Sequence, residues 1–294
     1  SCNSTTRGIF NGGYQPAPTA IRVNNMEYIT FATTGNSQDF GDLTDDSQST
    51  TGGTASSGTR GLIGLGYVHP SRVNKIDFCT IATTGNASDF GDLTAAKADY
   101  GSCSNSIRGL FFGGQTPSYI NNIDMVIIAT AGNATDFGDA TRTGGEAGCY
   151  GSATRGIWAG AGPGDGTNVI DYVTIASTGN ATDFGDLTLK GLGGTGVNSP
   201  TRGVLIGRRN DTPASGTEHD RIDYVTIAST GNAVDFGDTQ VACCRSQTMY
   251  NSTRGVFSGG DGPSGSLSRI DYITIATTGN SQDFGEQLYG VGGD

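Results

Sequence analysis

The sequence predicts an all-β chain folded as a six-bladed β-propeller with four short antiparallel strands per blade, and three observations predict it. The first is a unit of about 49 residues written six times along 294 residues. The second is composition: 49 glycines, and lysine only at Lys75, Lys97 and Lys190, which suits short strands joined by tight turns and suits long helices poorly. The third is a strand with apolar groups on both faces, the pattern of a sheet covered on both sides.

Two landmarks define the unit. One is [T/I]-R-G followed by apolar residues, at Arg7, Arg60, Arg108, Arg155, Arg202 and Arg254. The other is I-D-Y-x-T-I-A-[ST]-T-G-N-x-x-D-F-G-D, whose second aspartate falls at Asp39, Asp89, Asp136, Asp183, Asp235 and Asp283. The arginines are spaced 53, 48, 47, 47 and 52 residues apart and the aspartates 50, 47, 47, 52 and 48. Landmarks that drift together mark rigid units joined by loops of unequal length. One propeller domain over 1–294 is expected, with units of roughly 1–53, 54–101, 102–148, 149–195, 196–247 and 248–294. The chain opens on Ser1 without a leader pattern, so it reads as a chain freed of its leader or as a piece of a longer protein. A solenoid of the same unit would need polar capping repeats, whereas the first and last copies look ordinary. The residues after Tyr289 match those ahead of strand a in an interior copy, so the sixth copy is expected to run into the first.

In the fourth copy, strand a is expected over Gly148 to Ser152 and strand b from Arg155 to the Gly160-Ala161-Gly162 loop. Strand c covers Ile170 to Ser177, with Ile170 and Tyr172 on one face and Val173 and Ile175 on the other. Thr178-Gly179-Asn180 is a turn, and strand d follows with Phe184 and Leu187 as anchors.

Composition excludes several function classes. A net charge of −11 opposes nucleic acid and anionic membrane surfaces, and no run of 18 apolar residues is present to span a bilayer. The cysteines, Cys2, Cys79, Cys103, Cys149, Cys243 and Cys244, form no CxxC pair and meet only two histidines, so no zinc site is expected. Cys2, Cys103 and Cys149 are placed in one slot of the repeat, read as small buried thiols or as inter-blade bonds in an oxidising setting.

An apolar strand ending in Gly-Gly (Phe10 to Gly13, Phe111 to Gly114, Phe257 to Gly260), followed by an aromatic in strand c and another in strand d, resembles a kelch repeat. Phe184 and its equivalents stand where kelch units carry Trp. The full wording, TRGxFxGG then IDYxTIAxTGNAxDFGDLT, resembles tandem repeats of virion tail and fibre proteins of tailed phages of aquatic bacteria. That resemblance covers nearly all of the chain, and departs from the glycine pair at Leu65-Gly66, Ala161-Gly162 and Gly207-Arg208. It implies an extracellular, non-enzymatic protein on a virion surface. Kelch-type copper oxidases need two Tyr and two His together, but His69 and His219 lie in the second and fifth copies. No sialidase-type Tyr/Glu pair with an arginine triad is evident either, and the D-F-G triplets lack the other kinase motifs.

Within each unit the arginine and the second aspartate are expected at one rim of the blade. They read as a ring of structural ion pairs: Arg7, Arg60, Arg108, Arg155, Arg202 and Arg254 with Asp39, Asp89, Asp136, Asp183, Asp235 and Asp283. The rival reading is an anion or sugar-acid site built from several arginines. Asp183, Asp186 and Asn180 also offer oxygens for calcium, but fewer than it takes, and turn capping explains them; no cofactor is expected. The sequons at Asn3, Asn86, Asn133, Asn180, Asn210 and Asn251 are read as turn residues. The a–b turns and T-G-N turns share one constant face, while the b–c and d–a loops share a face that varies. Tyr14, His69, Tyr119, Arg208, Arg209 and His219 on the varying face are the candidate ligand-binding residues. The partners expected are a cell-surface glycan or other virion or filament proteins. A secreted structural filament or adhesin subunit is the alternative.

Overall fold

A computed structural model describes residues 1–15, 21–47, 53–210 and 217–287. The chain forms six four-stranded antiparallel sheets spanning 2–47, 54–92, 101–139, 147–191, 195–238 and 247–286, each a meander in the order a-b-c-d. It is a six-bladed β-propeller, all-β among the described residues. No helix of those residues is long and apolar enough to cross a membrane. In the fourth blade strand a is Ala147–Gly151, b is Arg155–Gly160, c is Thr167–Thr174 and d is Thr182–Gly191. Strand c therefore starts and stops about three residues earlier than its β-branched run suggests.

The D-F-G triplet is where strand d bulges. In all six blades the c–d register shifts there, as between Ile170/Gly185 and Asp171/Asp183. The extra residue, Phe184 in the fourth blade, is turned into the core (2% exposed). A glycine with positive φ stands five or six residues after the motif arginine in every blade, from +55° at Gly12 and Gly207 to +74° at Gly160, and bends or ends strand b there.

The core consists of six layers, each shared by two neighbouring blades. One joins Leu110, Phe112 and Phe137 of the third blade to Trp158, Val173 and Ile175 of the fourth. The layer closing the ring joins Met249, Val256 and Phe284 of the sixth to Phe10, Ile29 and Phe31 of the first. Burying apolar surface between blades rather than within them is why one unit cannot fold alone.

The glycine of T-R-G exists for this packing. The strand-a side chain of each preceding blade rests on it, and an added Cβ would meet Met249 Sδ at 1.9 Å on Gly8, Cys2 Sγ at 2.3 Å on Gly61 and Cys103 Sγ at 2.6 Å on Gly156. Tyr150 lies on Gly203 and Val197 on Gly255 in the same way. The register puts Cys2 and Cys103 in this one slot but Cys149 one residue earlier, which corrects the single-slot reading of the three thiols. All six cysteines are free.

The expected Arg–Asp ring is also corrected. Each arginine instead crosses to the next blade: Arg155 NH1 donates to Ile227 O at 2.9 Å, Arg108 NH1 to Ile175 O at 2.7 Å, and Arg254 NH1 to Phe31 O at 2.9 Å across the closing seam. Arg7, Arg60 and Arg202 do the same to Ile81, Ile128 and Ile275. On the way the guanidinium lies over the strand-c aromatic, Arg155 on Tyr172 at 4.6 Å and Arg7 on Tyr28 at 4.2 Å, and that ring meets the D-F-G phenylalanine edge-on. The aspartates Asp39, Asp89, Asp136, Asp183, Asp235 and Asp283 are all exposed. None makes an ion pair with its motif arginine among the described residues; Asp235 and Asp283 approach Arg221 and Arg269 instead.

The turn asparagine also reaches across a blade boundary. Asn180 Oδ1 accepts from Asp139 N at 3.0 Å, and Asn86, Asn133, Asn232 and Asn280 accept likewise from Asp42, Asp92, Asp186 and Asp238. Its backbone neighbours add Gly179 N to Phe137 O (2.8 Å) and Ala181 N to Asp139 O (2.7 Å). The oxygen considered for calcium is thus already in use as a blade-to-blade clamp.

The buried carboxylates are the first acids of I-D-Y. Asp77, Asp124, Asp171, Asp223 and Asp271, with Glu27 in the first blade, are 0–6% exposed. Four accept from the threonine that ends D-F-G-D-L-T in the preceding blade, as Thr141 Oγ1 does to Asp171 at 2.7 Å. Four also hold a cation whose origin differs: Lys97 on Asp124 (3.1 Å), Arg142 on Asp171 (2.8 Å), Arg208 on Asp223 (2.6 Å) and Arg269 on Asp271 (2.8 Å). In the sixth blade Gln240 replaces the threonine of the preceding blade, and Arg269 takes over.

Candidate functional site

The site that these blades build is the end of the axial channel on the varying face, together with the b–c loops around it. The channel wall is made by the six strands a, joined by a belt of hydroxyl groups. Ser102 Oγ donates to Thr54 O (2.7 Å), Ser104 Oγ to Ser56 O (3.0 Å) and Thr248 Oγ1 to Gly196 O (2.9 Å), while Ser1 Oγ donates to Thr248 O. In the fourth blade Gly151 N donates to Asn198 Oδ1 (3.2 Å), so every strand a is tied to a neighbour through a side chain, because the pore-facing edges of adjacent blades share no backbone ladder. Inside lies a cavity of about 150 Å³ lined by Ser102, Thr195, Gln247, Asp99, Glu146 and Arg245 among others. A second recess of about 370 Å³ opens on the constant face among the Ser/Asn a–b turns, such as Ser4, Asn105 and Ser152.

At the varying-face mouth, four equivalent residues precede strand a with positive φ: Asp99 (+60°), Glu146 (+53°), Gly193 (+72°) and Arg245 (+56°). Each of the last three donates its N–H to the carbonyl of the one before: Glu146 to Asp99 (2.7 Å), Gly193 to Glu146 (2.7 Å), Arg245 to Gly193 (2.6 Å). The backbone arc is regular, but its side chains are an acid, an acid, nothing and a base. Arg245 reaches over Gly193 to grip Glu146 through two bonds of 3.0 and 2.7 Å, and holds Asp261 at 3.5 Å. Burial lowers the pKa of Arg245, but the Glu146 bonds outweigh it and leave the guanidinium more basic than usual. Burial, then Glu146, push the Asp99 carboxyl up to about 6, against the pull of Arg245 and Arg72.

The sequence-predicted residues fall around this mouth unequally. His69 is exposed on the second blade, beside Tyr67 at a ring separation of 6.3 Å, and Arg22 of the first blade lies 5.3 Å over Tyr67. Tyr119 of the third blade is half-buried, near Gly145 and the mouth. Arg209 is half-buried and 3.9 Å from Glu146, so it joins the mouth cluster. Tyr14 lies in strand b of the first blade, and its side chain falls outside the described residues. His219 is half-buried with Nε2 against Asn210 Oδ1 at 3.0 Å; burial, then Arg208, hold its pKa below the usual value.

Arg208 is corrected as a ligand-binding residue. It is 1% exposed and its guanidinium is spent on Asp223 beneath the surface. Gly207, at φ +55°, shifts the b–c register between Ile206 and Arg208 and turns the side chain inward. Asp99, Glu146 and Arg245 were not anticipated. Their signal is that one position ahead of strand a changes charge from copy to copy where its neighbours do not.

The b–c connections confirm that this face varies in shape. The second and sixth blades carry small added hairpins, Tyr67–Val68 with Ser71–Arg72 and Asp261–Gly262 with Gly265–Ser266, while the first and fifth extend strands b and c instead. Compared with known proteins, the chain matches no protein-family model, and no curated protein aligns with it significantly.

Proposed function

We propose that this chain is a non-enzymatic recognition propeller working outside the cell, as a tail or surface component of a virion. Its varying face docks on a cell-surface glycan or on another protein of the particle. One observation carries the reading: the residues that repeat are used to join blades, while the b–c connections of the varying face differ from blade to blade in length, shape and chemistry. Arg22, Tyr67 and His69 form an exposed or half-exposed cation–aromatic group on short hairpins, the kind of surface that stacks on a sugar ring or a partner's side chain. The kelch-like order of glycine pair and aromatics, and the resemblance of the repeat wording to phage tandem repeats, support the same reading.

Glycan-array and whole-cell binding by the wild type, compared with Arg22→Ala/Tyr67→Ala/His69→Ala, tests the proposal. A tenfold or greater loss of affinity with an unchanged Tm is expected. Ile107→Thr on the constant face serves as control and should bind as the wild type does. Absence of binding to any glycan, cell or virion protein overturns the receptor reading.

A further inference from the structure

Two of the six thiols meet across a blade boundary. Cys2, in strand a of the first blade, and Cys79, in strand c of the second, are 2% and 4% exposed. Both sulfurs close on the space above Gly61, 2.3 and 3.4 Å from where its Cβ would stand. The two side chains thus face each other across the boundary, both against the same glycine.

The same two facing positions recur at every junction. They hold Ala55 with Val126, Cys103 with Val173, Tyr150 with Val225, Val197 with Ile273 and Met249 with Ile29. Five junctions therefore close on apolar pairs that include at most one sulfhydryl. Only the first places a cysteine at both positions, two departures from the repeat that meet each other. Cys103 faces a valine, and Cys149 is offset by one residue from the slot.

We propose that Cys2 and Cys79 are a cross-link site, oxidised to a disulfide that staples the first blade to the second. The bond forms by exchange with a small external disulfide such as oxidised glutathione. One thiolate attacks that disulfide, forming a mixed disulfide and releasing one reduced thiol. The other thiolate then attacks the protein sulfur of the mixed species and expels the second. Two protons and two electrons leave the protein, and one external disulfide becomes two thiols. Because both sulfurs are buried in the packed blade pair, the exchange takes place while the first two blades are still assembling. The inference stands apart from the recognition reading, since it needs only an oxidising setting during folding.

Refolding the full chain in mixed reduced and oxidised glutathione, followed by alkylation and non-reducing trypsin digestion, tests it. The expected product is the peptide 1–7 joined to 76–97, in a chain about 2 Da lighter than the reduced form. Its Tm should lie about 5 °C above that of the reduced protein and fall back with reductant. Cys79→Ser should abolish both the linked peptide and the reductant sensitivity, while Cys103→Ser should keep both. If Cys79→Ser does not fold, the wild-type peptide map decides alone. Linked peptides at other cysteines, or six alkylatable thiols in the natively refolded chain, overturn the proposal.

Discussion

Met249 of the sixth blade lies directly on Gly8 of the first, where a Cβ would come within 1.9 Å of its sulfur. This contact closes the ring, and it is one instance of a relation found at all six junctions: a strand-a knob seated on the T-R-G glycine of the next blade. The knob varies from Ala55 to Tyr150, but the glycine cannot.

Adding a methyl group at this glycine should therefore cost in proportion to the knob. Gly203→Ala drives a Cβ to 2.2 Å from the Tyr150 ring, and should destabilise the fold by about 3 kcal/mol or more. Gly109→Ala meets the small Ala55 at 2.8 Å and Val126 Cγ2 at 3.3 Å, and should cost about 1 kcal/mol. The double variant Gly109→Ala/Ala55→Gly should recover most of that loss in denaturant midpoint. Equal costs at the two sites would mean that the knobs do not set the tolerance.

The motif arginine and its aspartate should behave as strangers. Arg155→Lys keeps the charge but loses the planar stack on Tyr172 and the directed bond to Ile227 O, so a loss of about 1–2 kcal/mol is expected. Asp183→Asn removes an exposed carboxylate that makes no ion pair among the described residues, and should leave the denaturant midpoint unchanged. Coupling between the two in a double-mutant cycle would restore the ion-pair reading.

These outcomes bear on what a sequence alone can display. The period, the four strands and the phenylalanine anchors were legible because strand pattern and turn chemistry are local. Partners were not, because in this ring the important bonds run from one unit to the next, and alignment stacks equivalent residues instead of neighbouring ones. Arg155 therefore reads as the partner of Asp183 when it belongs to Ile227. A cross-blade signal was nevertheless present at Asp271, where Gln240 replaces the threonine and Arg269 appears two residues before the acid. Arg208 misleads for another reason: its place in a loop suggests exposure, and only the backbone at Gly207 reveals that it points inward.

Arg208 should accordingly matter to stability and not to binding. Arg208→Met strands the Asp223 carboxylate at 0% side-chain exposure, with Thr188 as its remaining donor, and should cost about 3 kcal/mol. Arg208→Met/Asp223→Asn removes the stranded charge and should regain more than half of that loss. Both variants should bind any ligand of the varying face as the wild type does. A binding defect in a variant with restored Tm would return Arg208 to the recognition surface.

Asp99 gives the channel mouth a pH dependence of definite sign. Burial, with Glu146 beside it, raises its pKa to about 6 in the folded protein, against about 3.9 in an unfolded chain. The folded state therefore holds this proton more tightly than the unfolded state does. The resulting stabilisation is complete below about pH 4 and is lost as pH rises through 6, about 2 kcal/mol over that window. Asp99→Asn keeps a neutral side chain at every pH and should flatten that part of the profile, gaining on the wild type above pH 6. Thermal melts of both proteins from pH 4 to 7 measure it directly. Parallel profiles would mean that Asp99 is ionised throughout, with Arg245 and Arg72 overcoming its burial.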